Sequence, residues 1–374
     1  MNLRLSNVII SLSLPLAGAA SSPAQQPDAE VSRAIGFVRV DCPEGSDTWI
    51  GSPFDHTKRD AVARLRGQPR IVDGEGLVVF YLLGAQNWRK NQWVDSHYVR
   101  IGGDHRYAGR AYRIRSHTRS TVVIEYQDHF PKKDYSRGDE IELVPYPTLE
   151  DLFPAETQTT FAVSDGYLPL QRKTELLVFE TERPEATDAT PPLSFFVTAD
   201  GWKQVTNAGV VSAGHFRLTP WTAMLVRNRG GLGDTEFLTT GRLAKFPRWM
   251  PVRGDWNTPR EIPTPAPNIV PQQLGDLNLN HKNNFPDSET TDPADRGGEL
   301  LVFHGTGFDK APSAIYFRVD GEWRLDDVGN NYPVADDVIL QPGTAFVVRK
   351  PQRSWFSQWV FTPENLQPDE EEND

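Results

Sequence analysis

Glu175-Leu176-Leu177-Val178-Phe179 decides how this chain is divided, because the same five residues return as Glu299-Leu300-Leu301-Val302-Phe303. The second copy lies 124 positions after the first. Each copy is followed by an apolar run, an Asp-Gly pair and a tryptophan, at Asp200-Gly201-Trp202 and again at Asp320-Gly321-Glu322-Trp323. Matching blocks in the same order indicate a repeated structural unit.

A third block strengthens this interpretation. The segment from Arg217 to Asn228 aligns with the segment from Ile339 to Lys350 at a constant offset of 122, and Leu, Pro, Thr, Ala, Val and Arg are kept at matching positions. The chain has 29 Gly, 30 Pro and 19 Phe among 374 residues, which favours short strands joined by turns. We therefore predict an all-β protein built from several β-sandwich or barrel-like units, the last two being an internal duplication.

The Asp-Gly pairs predict two hairpins. Both central residues of a type I′ turn need positive φ, which Asp-Gly tolerates, so each pair should join two antiparallel strands. Alternate positions before each turn should form the core face: Phe195, Val197 and Ala199, with Ile315, Phe317 and Val319 in the second copy. Thr148 should cap a short helical turn at the start of the first repeat.

Composition along the chain gives seven segments. Pro251 to Pro271 is proline-rich and predicts an extended linker, whereas the last eleven residues are strongly acidic and predict a disordered tail. The expected boundaries are 1–20 for a signal peptide, 21–33 for a spacer, 34–147 for an N-terminal β domain, 148–250 and 273–363 for the repeats, 251–272 for the linker and 364–374 for the tail.

The N-terminus predicts export. Arg4 precedes an apolar stretch from Val8 to Leu16, and Ala17-Gly18-Ala19-Ala20 resembles a cleavage site. No later stretch approaches the roughly 20 apolar residues of a membrane-spanning helix. The expected location is therefore outside the cytoplasm: periplasmic, at the cell surface or extracellular. Because Cys42 is the single cysteine, no intramolecular disulfide is possible, and we expect it to be a buried core residue.

Motifs for catalysis, metal binding or cofactor binding are absent from the sequence. It lacks a nucleophile elbow, a His-Glu-x-x-His zinc motif, a phosphate-binding loop and paired cysteines. The segment beginning at Asp276 resembles a calcium loop, but His281 stands where glycine is required. We thus predict no catalytic residue, no metal and no cofactor. A pair of carboxylates for glycoside cleavage has no local motif and stays an alternative.

One stretch suggests a binding site. Six arginines and a single acid, Asp104, lie between His97 and Arg119 in a chain whose net charge is −11. Guanidinium groups match sulfate and carboxylate groups, so an anionic polysaccharide is the expected ligand, in preference to nucleic acid. The alternative is a solvated face paired with acids such as Glu140 and Glu142. The candidate site residues share the odd-numbered face of one strand: Arg113, Arg115, His117 and Arg119.

Tryptophans could also stack on sugar rings. Most of the ten should lie in the core, and four flanked by polar residues are the candidates for exposure: Trp88, Trp93, Trp355 and Trp359.

Several motifs together resemble an uncharacterised family of exported proteins found chiefly in Verrucomicrobia and related bacteria. They include Gly36 to Val40, Gly45 to Phe54, Thr148-Leu149 with Leu152-Phe153-Pro154, Glu299 to Phe303 and Pro342 to Lys350. The resemblance covers nearly the whole chain after the signal peptide and implies export and a β-rich fold. It implies no activity and no catalytic residue.

The function expected from these observations is that of an exported, non-enzymatic binding or structural protein. Two alternatives remain open: a polysaccharide-degrading enzyme, and a subunit of a surface assembly.

Overall fold

The computed structural model describes residues 35–72, 74–126, 130–179, 193–220, 222–231, 233–252, 260–279, 285–351 and 357–362. The predicted signal peptide, spacer and acidic tail lie outside these residues, as does Trp355. The all-β prediction is confirmed, since antiparallel strands form all the named sheets. Within the described ranges, no helix is both long enough and apolar enough to span a membrane.

The strands of the first half precede residue 147. The first strands of the described residues are β1 (Ile35–Cys42) and β2 (Ser46–Ile50). Seven more follow: β3 (Ala61–Arg64), β4 (Arg70–Val72), β5 (Leu77–Tyr81), β6 (His97–Ile101), β7 (Ala111–His117), β8 (Thr121–Glu125) and β9 (Glu140–Pro145).

The remaining elements carry the duplicated motifs. The helix α1 (Leu149–Leu152) comes first, followed by β10 (Thr174–Val178), β11 (Leu193–Thr198), β12 (Gly201–Thr206), β13 (Gly209–Ser212), β14 (Met224–Asn228) and β15 (Thr235–Arg242). Then come β16 (Arg248–Val252), β17 (Arg260–Pro265), β18 (Gln272–Gln273), β19 (Glu299–Val302), β20 (Ala314–Val319), β21 (Glu322–Leu325), β22 (Ile339–Leu340), β23 (Ala345–Lys350) and β24 (Ser357–Phe361). Short 3₁₀ helices span Lys132–Asp134, Pro169–Gln171, Leu274–Leu277, Pro293–Asp295 and Val328–Asn330.

Strand pairing repeats in the two copies. One main sheet has the order β12-β11-β10-β14-β2 with β13 added at its edge, and the other has the equivalent order β21-β20-β19-β23-β17. A second sheet pairs the first strand of each copy with its last, β1 with β15 and β16 with β24. Even the bridge between Thr148 and Arg217 has a counterpart in the pairing of β18 with β22. The duplicated unit therefore begins before its Glu-Leu-Leu-Val-Phe strand in both copies.

The sheets do not follow the predicted N-terminal domain at 34–147, because its first two strands belong to the first unit. Strands β1 and β2 complete the sheets of the first unit, which comprises residues 35–57 and 147–242. Residues 58–146, called the insert below, form their own seven-stranded sheet in the order β3-β9-β6-β7-β8-β5-β4. Its two ends lie together, since Thr57 Oγ1 donates to the Pro145 carbonyl at 2.8 Å. The second unit comprises residues 248–362.

Each of the three parts has its own apolar core. The first unit packs Leu176, Phe195 and Trp202 together with Cys42 and Phe237 from the smaller sheet. The cluster of the second unit contains Leu300, Tyr316 and Trp323, and the cluster of the insert is built from residues between Ala63 and Leu143. No described cluster mixes residues of the insert with residues of a unit.

The proline-rich segment is not simply a linker. Among its described residues, 260–265 form the edge strand β17, paired with β23. The amide of Ala266 donates to the Thr344 carbonyl at 2.9 Å. In an antiparallel pair only alternate residues point their backbone amides at the partner strand, so position 264 donates to β23 while the nitrogens of Pro263 and Pro265 point away from it. Proline has no backbone N–H, and a residue of an edge strand whose nitrogen points away from the sheet has no hydrogen bond to donate. The linker prediction rested on proline-rich composition alone, which does not show that residues 260–265 pair with β23.

The hairpin turns follow the prediction in only one unit. Asp320 and Gly321 both have positive φ, as a type I′ turn requires. In the first unit the pair Thr198 and Gly201 closes the turn, and Gly201 has the positive φ there. Relative to the aligned sequences, the turn of the first unit thus lies one residue earlier. Tyr316, rather than Phe317, therefore takes the position in the second core that Phe195 takes in the first. The assignment of Ile315, Phe317 and Val319 to that core face was therefore wrong, as was that of Ala199, which is exposed.

Thr148 caps α1 as predicted. Its hydroxyl accepts from the Asp151 amide, and the Asp151 carboxylate accepts from the Thr148 amide.

In both units a buried glutamate on the equivalent strand pairs with two arginines. Glu175 accepts from Arg172 at 2.9 Å and from Arg229 at 2.8 Å. Its counterpart Glu299 accepts from Arg296 at 2.6 Å and from Arg349 at 2.9 Å. Each arginine that lies three residues before the glutamate also packs over a phenylalanine ring, Phe196 in the first unit and Phe317 in the second.

Candidate functional site

Strand β7 carries the predicted arginine stripe near the centre of the sheet of the insert. It pairs with β6 on one side and with β8 on the other. Tyr112 and Ile114 face the apolar core, which leaves the side chains of Arg113 and Arg115 on the opposite face. These two side chains are 47% and 65% exposed. The predicted alternation therefore holds over this part of the strand.

A β-bulge ends the alternation. Ile114 lies opposite Ile124 and Ser116 lies opposite Val123, so Arg115 is the extra residue. The bulge returns His117 to the core side of the sheet, where it is 1% exposed. The structure thus separates His117 from the two arginines with which the sequence grouped it. A bulge of this kind re-aims the residues that follow it and carries no clear sequence signal.

The ring of His117 has structural partners. The Trp93 amide donates to Nε2 at 3.0 Å, and Nδ1 lies 3.4 Å from the Thr118 carbonyl. An Nε2 atom that accepts a hydrogen bond belongs to a neutral imidazole. Burial lowers the pKa of His117, although the Thr118 carbonyl opposes this effect. We conclude that His117 supports the loop at residues 91–93 and supplies no positive charge to an anion.

Arg119 lies in the turn between β7 and β8, where it is exposed. Its carbonyl accepts from the Gln86 amide at 2.7 Å, which fixes the turn against the preceding loop. Arg119 therefore belongs to the same β7–β8 hairpin as Arg113 and Arg115 and lies in its turn. These three residues are called the arginine face below.

The acids near the arginine face differ from those that the sequence suggested. Arg113 lies 3.3 Å from Asp95, and Arg115 lies 3.8 Å from Glu125. Glu140 instead pairs with Arg64, and the buried Glu142 pairs with Arg59 and Arg100. Asp95, which is 64% exposed, and Glu125, which is 33% exposed, are thus acidic neighbours of the arginine face.

Arg217 is a neighbour that sequence reasoning missed. It belongs to the first unit, yet its Nη1 donates to the carbonyl of Asp95 at 2.6 Å. Asp95 therefore connects Arg113 of the insert with Arg217 of the first unit. The two residues are 104 positions apart, and nothing in the sequence relates them.

Charge is segregated between the insert and the rest of the chain. The insert contains 16 lysines and arginines against 11 aspartates and glutamates, a net charge of +5. The whole chain carries −11, so the residues outside the insert together carry −16. The arginine face is therefore the exposed part of a basic domain attached to two acidic units.

The other candidates from the sequence have structural roles. Trp88 is 7% exposed and Trp359 is fully buried, while Trp93 packs against the core of the insert. Cys42 is buried in the first unit, and burial raises the pKa of its thiol to about 12. Asp287 of the calcium-like segment pairs with Arg318. Within the described ranges, no group of three or more potential ligands could hold a metal ion.

Comparison of the chain with protein-family models, with curated proteins and with solved structures finds no match in any of the three.

Proposed function

We propose that this chain is an exported, non-enzymatic binding protein that binds anionic polysaccharide at the arginine face of its insert. The observation that carries the proposal is the segregation of charge: a +5 insert within a chain of −11. Such an arrangement attracts a polyanion to one domain while the acidic units repel it elsewhere. The signal-like N-terminus and the resemblance to exported proteins support export.

The ion pairs of the arginine face favour exchange with a ligand. Arg113 and Arg115 contact their acids at 3.3 and 3.8 Å, and both arginine side chains are about half exposed or more. Exposed pairs of this kind contribute only about 0–1 kcal/mol each. A sulfate or uronate group can therefore replace Asp95 or Glu125 at little cost, and it can accept two hydrogen bonds from one guanidinium group.

Binding to dextran sulfate, with neutral dextran for comparison, tests the proposal. The variant combines Arg113→Gln, Arg115→Gln and Arg119→Gln. The matched control combines Arg66→Gln, Arg70→Gln and Arg137→Gln, three exposed arginines of the same insert, so both variants lose the same net charge. Affinity is measured from 20 to 500 mM NaCl, because screening separates electrostatic binding from other kinds.

We expect salt-sensitive binding of the unaltered protein to dextran sulfate and none to neutral dextran. The arginine-face variant should bind at least tenfold more weakly, whereas the control variant should lose about twofold. Equal losses in the two triple variants would mean that net charge alone governs binding. Absence of binding at 20 mM NaCl would contradict the proposal for sulfated polymers.

A further inference from the structure

A cleft lies where the insert meets both units. Its walls come from the loop after β2, from β6 and β7 of the insert, from the segment before β14 and from β16 and β17 of the second unit. Small-molecule sites favour boundaries between domains. We call it the junction cleft.

Most of the lining of the junction cleft is apolar. All three parts of the chain contribute to it, so the cleft exists only when they are assembled. The apolar side chains include Phe54, Leu152, Leu218, Met224, Phe246 and Met250. Such walls suit a ligand with an apolar body.

The charged residues that line the junction cleft do not cancel. They are Asp55, Arg100 and Arg248, which together carry one net positive charge. Burial and the nearby Arg248 lower the pKa of His56, which also lines the cleft, to about 4, so His56 is neutral at pH 7. Glu142 lies behind the lining and is balanced by Arg59.

Asp55 forms its close ion pair with Arg100. Arg100 Nη1 lies 3.0 Å from Asp55 Oδ2, and its other nitrogens contact Glu142 at 2.8 Å. Arg248 is farther away, with 3.9 Å between its Nη2 and Asp55 Oδ1. Among the described residues, Asp55 is thus close to Arg100 and only in long-range contact with Arg248.

Arg248 also has a donor without a partner among the described residues. Its terminal nitrogens donate to the carbonyls of Ser52 and Pro53, whereas its buried Nε has no hydrogen-bond partner there. The side chain is 13% exposed. A buried, incompletely paired cation is costly, and a carboxylate that accepts from a guanidinium group offsets that cost.

We propose that the junction cleft binds a small molecule with one carboxylate on an apolar body, and that Arg248 holds the carboxylate. The apolar walls select the body, and the single surplus positive charge selects a monoanion. Ser52 lies on the same wall and offers a hydroxyl, hydrogen-bonded to His56 Nε2 at 2.5 Å. This site is separate from the arginine face, and the inference does not depend on the proposed polysaccharide binding.

Benzoate is the probe, and benzyl alcohol is its neutral counterpart with the same ring. Backbone amide signals of the full chain are followed by NMR at pH 7 and 150 mM NaCl as each probe is added. We expect benzoate to shift the amides of Ser52, Ala111 and Thr222 along one saturable curve with a millimolar Kd. Benzyl alcohol should bind at least tenfold more weakly.

Two variants identify the residues responsible. Arg248→Gln should reduce benzoate affinity at least tenfold, to that of benzyl alcohol. Ala111→Leu keeps every charge and narrows the cleft, so it should weaken both probes and provides the test if Arg248→Gln does not fold. The triple variant of the arginine face should bind benzoate as the unaltered chain does.

The proposal would be overturned by benzoate shifts confined to the arginine face, by equal affinities for benzoate and benzyl alcohol, or by undiminished benzoate binding of a folded Arg248→Gln variant. Absence of any shift at the amides lining the cleft up to 20 mM benzoate would overturn it as well.

Discussion

At the scale of single residues, the repeated glutamate does more than mark the duplication. Glu175 and Glu299 lie near the start of equivalent strands, and each accepts hydrogen bonds from two arginines. The sequence alignment already matched Arg227 with Arg349, and both arginines pair with an acid on the neighbouring edge strand, Asp47 or Glu261. The repeated Glu-Leu-Leu-Val-Phe motif predicted the strands β10 and β19. The partners from distant segments, Arg229 and Arg349, could not be predicted, because their positions depend on which strands pair.

Glu175→Gln should destabilise the protein by roughly 3 kcal/mol at pH 7, since it leaves Arg172 and Arg229 without their shared carboxylate. Unfolding in urea, followed by tryptophan fluorescence, measures the change. Glu236→Gln is the matched control, because Glu236 pairs with Arg39 on the surface and should contribute about 1 kcal/mol or less. Equal effects of the two substitutions would contradict a structural role for the buried network.

The same network predicts how stability depends on pH. Burial alone would raise the pKa of Glu175, but hydrogen bonds from Arg172 and Arg229 hold it below its usual range. The unfolded chain therefore binds a proton at higher pH than the folded chain does. This contribution to stability is complete above the unfolded pKa and is lost as pH falls through the folded value. Glu175→Gln should flatten that part of the pH profile, measured by urea unfolding between pH 6 and 3.

At the scale of elements, two strands differ from their sequence patterns for physical reasons. Alternation along β7 correctly placed Arg113 and Arg115 on one face, but the bulge at Arg115 moved His117 to the other. Bulges depend on the register of the neighbouring strand, which a single sequence does not contain. In β17 the composition suggested a linker, whereas the alternate spacing of the prolines was the informative signal for an edge strand.

The orientation of β17 gives an element-scale prediction. Pro263→Val should change the free energy of unfolding by less than about 1 kcal/mol, because the nitrogen of Pro263 faces away from β23 and valine favours strands. Thr264→Pro should cost about 1–3 kcal/mol, since the amide at position 264 donates to β23 and proline has no donor. Urea unfolding compares the two. A larger loss for Pro263→Val than for Thr264→Pro would show that the assigned orientation is wrong.

At the scale of the whole molecule, the sequence revealed the duplication but not the insert. The first and last strands of the first unit pair across about 200 residues, as Ile35 does with Arg242. Such distant pairing leaves no local pattern. The Glu-Leu-Leu-Val-Phe motif lies after the insert, so the first repeat appeared to begin near residue 148. The basic charge of the insert, by contrast, is evident from composition once its limits are known.

Replacing residues 58–146 with a short glycine-serine linker tests the architecture and the proposed function together. Thr57 and Pro145 are in hydrogen-bond contact, so a short linker can join the flanking chain, and the described cores of the two units contain no residue of the insert. We predict a β-rich chain that unfolds cooperatively on heating and no longer binds dextran sulfate at 20 mM NaCl. A folded, shortened chain that binds dextran sulfate as tightly as the full chain would contradict the assignment of anion binding to the insert.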